Sequence, residues 1–234
     1  MTHFLITRFA IPFAKDSIRY ERCTNAPGWF DKRCDLFEKY TLPSIEAQTN
    51  QDFYWILIAN PDFPGMDKDR LESYAADVLW VDWEWDEGFD TLGNKLKAHF
   101  LMDEWIITSR VDNDDMLSKH FIEGCQVTAT ENVQWLSFPY GYILKKDAAY
   151  LRKYPSSPFV SFVERGDSPI TVYHTSHIYA GKKYPLVEIS DDPGWVQIDH
   201  GDNVKNSVKS LMTRGKISGE ASVHFEDIRK EFGQ

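Results

Sequence analysis

Seven consecutive residues, F-Y-W-I-L-I-A from Phe53 to Ala59, carry no charge and show no alternation of polar and apolar side chains. A strand with one wet face alternates; a strand without alternation has to be covered on both faces. The chain must therefore build a sheet with a layer on each side, and N-P-D-F-P-G ends this strand sharply. Further strand signals fall at His3–Phe9, Val78–Val81 and Trp105–Val111. Between them lie helical patterns: 31–48 with Asp31 as N-cap and a kink at Pro43, 67–76, 92–102, and 118–130 with Ser118 as cap. Strands joined by helical crossovers predict a mostly parallel sheet flanked by helices, an α/β fold.

Beyond residue 130 the pattern changes. Residues 134–144 and 159–164 are strand-like, 170–179 holds His174 and His177, and no helix is apparent before Asp202. From there the tail is polar with helical spacing (Val204, Val208, Leu211, then Val223, Ile228 and Phe232). The whole of 1–234 reads as a single domain in three parts, 1–130, 131–205 and a helical tail 206–234.

Charge and cysteine use narrow the function. A formal net charge of -10 with no long basic run argues against nucleic acid as a partner. An acidic chain still binds phosphorylated ligands when a metal ion bridges the two. The three cysteines, Cys23, Cys34 and Cys125, form no C-x-x-C pair, so neither a disulfide framework nor structural zinc is expected. No apolar run is long enough for a transmembrane segment, and the start lacks a leader's cleavage site. The expectation is a soluble, cytoplasmic protein, with peripheral contact to a membrane left open.

The segment T-S-R-V-D-N-D-D places Asp112, Asp114 and Asp115 at the exit of an apolar strand. In open α/β sheets ligands bind beyond the carboxyl ends of the strands. Two carboxylates in D-x-D spacing can share a divalent cation, which cancels their repulsion and can grip a diphosphate. An EF-hand starting at Asp112 fails, because its positions 5 and 6 would be Met116 and Leu117. An aspartyl-phosphate phosphatase would want its acid on the first strand, where residues 4–9 have none. A solvated acidic turn capping the following helix is the competing structural reading.

L-P-S-I-E-A-Q-T followed by the strand ending N-P-D, then T-S-R-V-D-N-D-D, F-P-Y-G-Y, S-P-F-V-S-F-V-E and H-G-D-N-V, resembles the rhamnosyltransferase family of GT-A type, related to inverting glycosyltransferase family 2. The likeness runs from about Phe4 to Ser207. It implies a GT-A (Rossmann-like) fold and a metal-dependent, inverting glycosyltransferase that takes rhamnose or another hexose from a UDP-, dTDP- or GDP-linked donor to a glycan or glycolipid acceptor. Residues 1–130 would bind the nucleotide-sugar and 131–205 the acceptor. It implies Mn²⁺ or Mg²⁺ on Asp112 and Asp114, the D-x-D positions, with Asp115 adjacent and one of the three, Asp112 included, contacting the nucleotide's ribose; a late histidine would complete the shell, His200 ahead of His177 and His174.

The resemblance further assigns Arg8, Phe9 and Asp62 to the nucleoside, with Phe9 stacking on the base, and Asn94 and Lys95 to the diphosphate. An inverting transfer needs a general base; Glu164, at a strand end before a Gly turn, is the candidate, with Asp191 and Asp192 as rivals. Arg110 would pair with Asp112 or anchor the turn. Trp195 and the run Trp80, Trp83, Trp85 would offer a sugar shelf or, the preferred reading, pack inward. Two other classes stay open: a non-catalytic nucleotide- or carbohydrate-binding module on the same scaffold, and a metal-dependent nucleotidyltransferase, against which the glycine-free segment after the first strand speaks.

Overall fold

The computed structural model describes residues 1–11, 26–84, 89–200, 207–217 and 220–234, without the side chains of 89 and 90. Cys23, Trp85, Asp202 and Val204 lie outside the described residues.

A seven-stranded sheet forms the body of the molecule. Its strands are β1 (Thr2–Ala10), β2 (Tyr54–Ala59), β3 (Asp77–Trp80), β4 (Trp105–Asp112), β6 (Gln134–Ser137), β9 (Ser161–Arg165) and β10 (Leu186–Glu188), in the order β10-β6-β9-β4-β1-β2-β3. Pairs β1–β2, β1–β4, β2–β3 and β6–β10 are parallel, while β9 runs antiparallel to both β4 and β6. The mixed, mostly parallel α/β sheet read from the sequence is the one that forms.

Why F-Y-W-I-L-I-A lacks alternation is now plain. Trp55, Leu57 and Ala59 pack into one apolar layer with Phe9, Phe37 and Val111, while Ile56 and Ile58 pack into the opposite layer with Phe4, Leu92 and Leu96. The first layer is capped by the helical run α1 (Trp29–Leu36), a π-turn (Phe37–Thr41) and α2 (Leu42–Glu46). The second rests on α4 (Phe89–His99). The kink expected at Pro43 is that π-turn. Proline has no N–H for the helical ladder and its ring crowds the carbonyl four residues back, so the preceding turn widens. The cap of α1 is Gly28 at φ 67°, and not Asp31. Asp67 does cap the short α3 (Lys68–Glu72), accepting from Arg70 N at 3.0 Å.

A second, five-stranded sheet draws most of its strands from the later half of the chain, where the sequence predicts further strands. It contains β5 (Met116–Leu117), β7 (Tyr140–Lys145), β8 (Ala148–Lys153), β11 (Trp195–Ile198) and β12 (Val223–His224), in the order β12-β8-β7-β11-β5. The stretch 134–144 is two strands broken at Pro139, because proline cannot donate to a ladder. The helix expected from Ser118 is α5 (Phe121–Thr128), with His120 at its cap position. Ser118 instead donates its N–H to Gly194 O, extending the antiparallel β5–β11 pairing of the second sheet. The tail is helical only in short pieces, α6 (Val208–Thr213) and α7 (Phe225–Ile228). No helix among the described residues is long and apolar enough to cross a membrane.

Two features of the second half are fixed by packing. Trp195 is fully buried, stacked on Phe159 at 5.0 Å and bonded through Nε1 to Phe138 O at 3.0 Å, so it offers no sugar shelf. Gly141 lies against it: a Cβ there would fall 2.1 Å from the indole. Glu164 is likewise an internal strut. Opposite Ile106 in the β4–β9 ladder, it accepts backbone N–H bonds from Ile170 at 2.6 Å and Thr171 at 2.9 Å. Thr108 Oγ1 in turn accepts from Val172 N at 2.8 Å, so residues 170–173 are stitched along one face of β4. Thr171 sits at φ 66°, a conformation a β-branched residue holds only under constraint.

Two outcomes follow from this packing. Gly141→Ala should cost roughly 3 kcal/mol in denaturant unfolding, the upper end for overpacking a closed core; a loss below about 1 kcal/mol would mean that Trp195 yields. Burial pushes the Glu164 carboxyl up to about 7 against the two N–H bonds that favour its charge. A carboxyl raised on folding adds stability at low pH and loses that contribution as pH climbs from about 4.5 to 7. Glu164→Gln should flatten this slope and, at neutral pH, cost about 1–3 kcal/mol because one N–H loses its acceptor. An unchanged pH profile would contradict this account of the site.

Candidate functional site

The acidic turn follows β4 directly and is far from solvated. Asn113, Asp114 and Asp115 are all buried. Asn113 Nδ2 donates to Phe9 O at 3.0 Å, pinning the turn to the end of β1. Asp115 Oδ1 accepts from Ile198 N at 2.9 Å, and its carbonyl accepts from Thr41 Oγ1 at 2.8 Å. Asp115 thereby joins the first sheet to the second and to the π-turn. Because β5 intervenes before α5, the acids do not cap that helix, which removes the structural reading of a helix-capping turn.

Arginines surround the carboxylates. Arg8, opposite Asp112 in the parallel β1–β4 ladder, pairs with Asp112 Oδ1. Arg33, projecting from α1, bonds Asp114 Oδ2 at 2.7 Å. His200 Nε2 lies 2.9 Å from that same oxygen and 3.4 Å from Arg33 Nη1. Arg110 stands on the same face of β4 as Asp112, its guanidinium 4.9 Å above the Tyr173 ring, with Arg8 5.3 Å from the same ring. Tyr173 is brought there by the segment that Glu164 and Thr108 hold down.

The electrostatics follow from burial opposed by these cations. Burial alone would raise the Asp112 carboxyl, but Arg8 and Arg110 hold it below its ordinary value. Asp114 is likewise buried, and Arg33 and His200 hold it far lower. Asp115 has the opposite fate: burial, then the charges of Asp114 and Asp112, push it well up, opposed by the Ile198 N–H. Three guanidiniums, those of Arg8, Arg33 and Arg110, stand around the three acids of the turn.

Among the described residues no three histidine, cysteine or acidic side chains converge as a ready-made metal site. The Asp114–His200 pair does fit one. Ligand atoms about 3 Å apart are what two adjacent positions of an octahedral ion with bonds near 2.1 Å require. Mg²⁺-type ions characteristically take one or two protein groups and complete their shell with water and substrate phosphates. Asp115 is turned to Ile198 N through Oδ1, while an ion on Asp114 Oδ2 would have to displace the Arg33 guanidinium bonded to that oxygen.

Other residues chosen from the sequence lie apart from this cluster. Glu164 faces Ile106, six residues down β4 from Asp112, about 20 Å away at the strand rise of ~3.3 Å. It is at the wrong end of the sheet to act as base for chemistry at Asp112. Phe9 is buried against Phe30 and Phe37 at 5.8 and 5.1 Å, which leaves no face for a base; its register on β1 turns it into the core. Asp62 is an exposed turn residue whose N–H bonds Asn60 Oδ1 at 2.8 Å. Asn94 is exposed and Lys95 half-buried, midway along α4.

Two histidines separate cleanly. His174 stacks on Trp135 at 5.2 Å and bonds Thr171 O, a packing role. His177 bonds Ser156 O at 2.6 Å, and burial lowers it to about 4, with Arg110, Asp112 and Arg8 close enough to contribute. Asp191 is exposed in the loop after β10; since β10 is parallel to β6, and β6 to β4, that loop lies on the same edge of the sheet as Asp112. Its neighbour Asp192 borders a groove of about 700 Å³ lined by Phe138, Tyr142, Gly124 and Phe232. Arg33 and Tyr173 were missed by sequence reasoning. Arg33 sits among other charged residues of an unremarkable helix, and Tyr173 reaches the site only through a long loop. The Arg8–Asp112 pair, by contrast, was within reach of anyone aligning the two strands in parallel register.

Comparison with known proteins places this geometry. No curated protein matches the chain. Among solved structures, TarS of S. aureus superposes with a TM-score of 0.50 at 12% identity, covering 85% of this chain and 37% of that one. A 1–349 piece of TarS in complex with UDP gives 0.49 at 12% identity over 85% and 60%. The 4-diphosphocytidyl-2C-methyl-D-erythritol synthase of Anaerococcus prevotii gives 0.42 at 14% identity over 81% and 88%. The chain thus spans less than two thirds of the TarS chains it matches. The sheet order and the likeness to TarS give a GT-A-like fold. The profile of the family described as "Putative rhamnosyl transferase" matches residues 3–211, and the chain belongs to that family.

Proposed function

We propose that the protein is a metal-dependent glycosyltransferase, transferring rhamnose or another hexose from a UDP-, dTDP- or GDP-linked donor to a glycan or glycolipid acceptor with inversion. The observation that carries this reading is the Asp114–His200 pair beside Asp112, at the carboxyl edge of the sheet and ringed by arginines. Family membership supports the reaction class.

Asp114 and His200 would hold Mn²⁺ or Mg²⁺, with Asp112 beside them. When bound, the ion supplies positive charge to the departing nucleoside diphosphate. The chain's own contribution is to hold that geometry. Arg33 keeps Asp114 ionised, Asp115 fixes His200's segment through Ile198, and Asn113 locks the turn to β1. Arg8 gives the nucleotide end of the site a second positive charge. Inversion needs a base to take the acceptor's proton. Asp191 is the carboxylate retained for it. It shares the edge of the sheet with Asp112, three strand spacings or about 14 Å across.

Donor hydrolysis or transfer in the presence of Mn²⁺ tests this. Turnover should vanish in EDTA and return with added Mn²⁺. Asp114→Ala should lose about 10²-fold or more in kcat while remaining folded by circular dichroism. Undiminished metal-dependent turnover in that variant would defeat the assignment.

A further inference from the structure

Arg110 poses a problem that the metal reading does not solve. It is 7% exposed, and its Nε meets no hydrogen-bond acceptor. Among the described residues no carboxylate lies within ion-pair distance of it, Asp112 being engaged by Arg8. The ring of Tyr173 is its near neighbour, and a cation–π contact offsets only part of the cost of burying a charge. A buried charge without its counter-charge costs several kcal/mol. Such a cost persists where something outside the chain balances it.

The setting is built. Ile6 lies opposite Arg110 and Arg8 opposite Asp112 in the ladder, so the two guanidiniums stand on neighbouring strands over one aromatic ring. The Tyr173 ring is set by Thr171 in its left-handed conformation, held by Glu164, and its hydroxyl lies 3.5 Å from Ile6 O. The side chains of Arg8 and Asp112 are 15% and 30% exposed, so the face opens to solvent. Both guanidiniums stand beside Asp112, next to the Asp114–His200 pair.

We propose that Arg110, Arg8 and Tyr173 form a direct seat for the diphosphate of the nucleotide donor, holding it by charge and hydrogen bonds of the chain itself rather than through a metal ion. This rests on the donor being a nucleotide-sugar. Guanidinium is the group suited to the task, since its planar fork meets phosphate oxygens two at a time. Donor binding and metal binding then become separable: the arginine face retains the diphosphate without metal, while Asp114 and His200 serve the ion.

The test uses inorganic pyrophosphate, UDP, dTDP and GDP with the full chain in EDTA, at ionic strength matched with sodium chloride. Pyrophosphate should raise the melting temperature of the wild type, because a ligand of the native state stabilises it. Arg110→Met should melt at or above the wild-type temperature without ligand and bind pyrophosphate at least ~10-fold more weakly by calorimetry. Arg110→Lys, which keeps charge but not the fork, should fall between, and it decides the matter if the methionine variant does not fold. Asp114→Ala should still bind pyrophosphate in EDTA. No pyrophosphate binding by the wild type in EDTA, or equal binding by the Arg110 variants, would overturn the seat. With UDP, dTDP and GDP run side by side, nucleotide binding that needs Mn²⁺ and ignores Arg110 would sink this proposal alone, whereas no binding of any of the three with or without Mn²⁺ would sink the glycosyltransferase reading beneath it.

Discussion

The ion pair between Arg33 and Asp114, with His200 at the same oxygen, is the contact on which the site's architecture turns. It joins three distant parts of the chain: a helix near the start, the exit of a central strand, and the segment after β11. Three acids in four residues would repel one another strongly in the low dielectric of a buried turn. The fold answers with counter-charges. Arg33 and Arg8 neutralise Asp114 and Asp112, while burial and these two neighbouring charges push the Asp115 carboxyl up against the Ile198 N–H that favours its charged form. Removing either arginine leaves a buried charge exposed to its neighbours, so the turn is a cooperative unit.

A second line of contacts reaches the same place from below. Glu164, buried near the amino end of β4, holds Ile170 and Thr171; Thr108 holds Val172; and Tyr173 then lies beneath Arg8 and Arg110. A carboxylate some 20 Å from the acidic turn, by strand rise, thus sets the aromatic floor of the arginine pair. Its role is to position, and its apparent suitability as a base in the sequence came from the burial that makes it a strut.

The first sheet was legible because its signals are local. An unbroken apolar run announces burial on both faces, and Asp67 or Pro43 punctuates helices by rules that need no tertiary partner. The second sheet was less so, because β5 and β12 are two residues each, too short to show a period; only their partners make them strands. Within the site, Asp112, Asp114 and His200 were visible as residue types in a telling place. Their counter-charges were harder. Arg33 is one of several charged residues on α1, and nothing in its neighbours marks it as the arginine that turns inward. Phe9 was misread for a related reason: at a strand end, only the register decides whether an aromatic faces a ligand or the core.

Charge compensation at the exit of β4 makes a definite demand on how a cation would enter. An ion between Asp114 and His200 must replace Arg33 on the shared oxygen. Anomalous diffraction from a crystal of the wild-type protein grown with Mn²⁺ and UDP measures this directly. The account predicts a manganese peak bonded to Asp114 Oδ2 and His200 Nε2 at about 2.1–2.2 Å, with the Arg33 guanidinium moved off Asp114. A manganese-free turn, with UDP bound and Arg33 still clamped on Asp114, would contradict it.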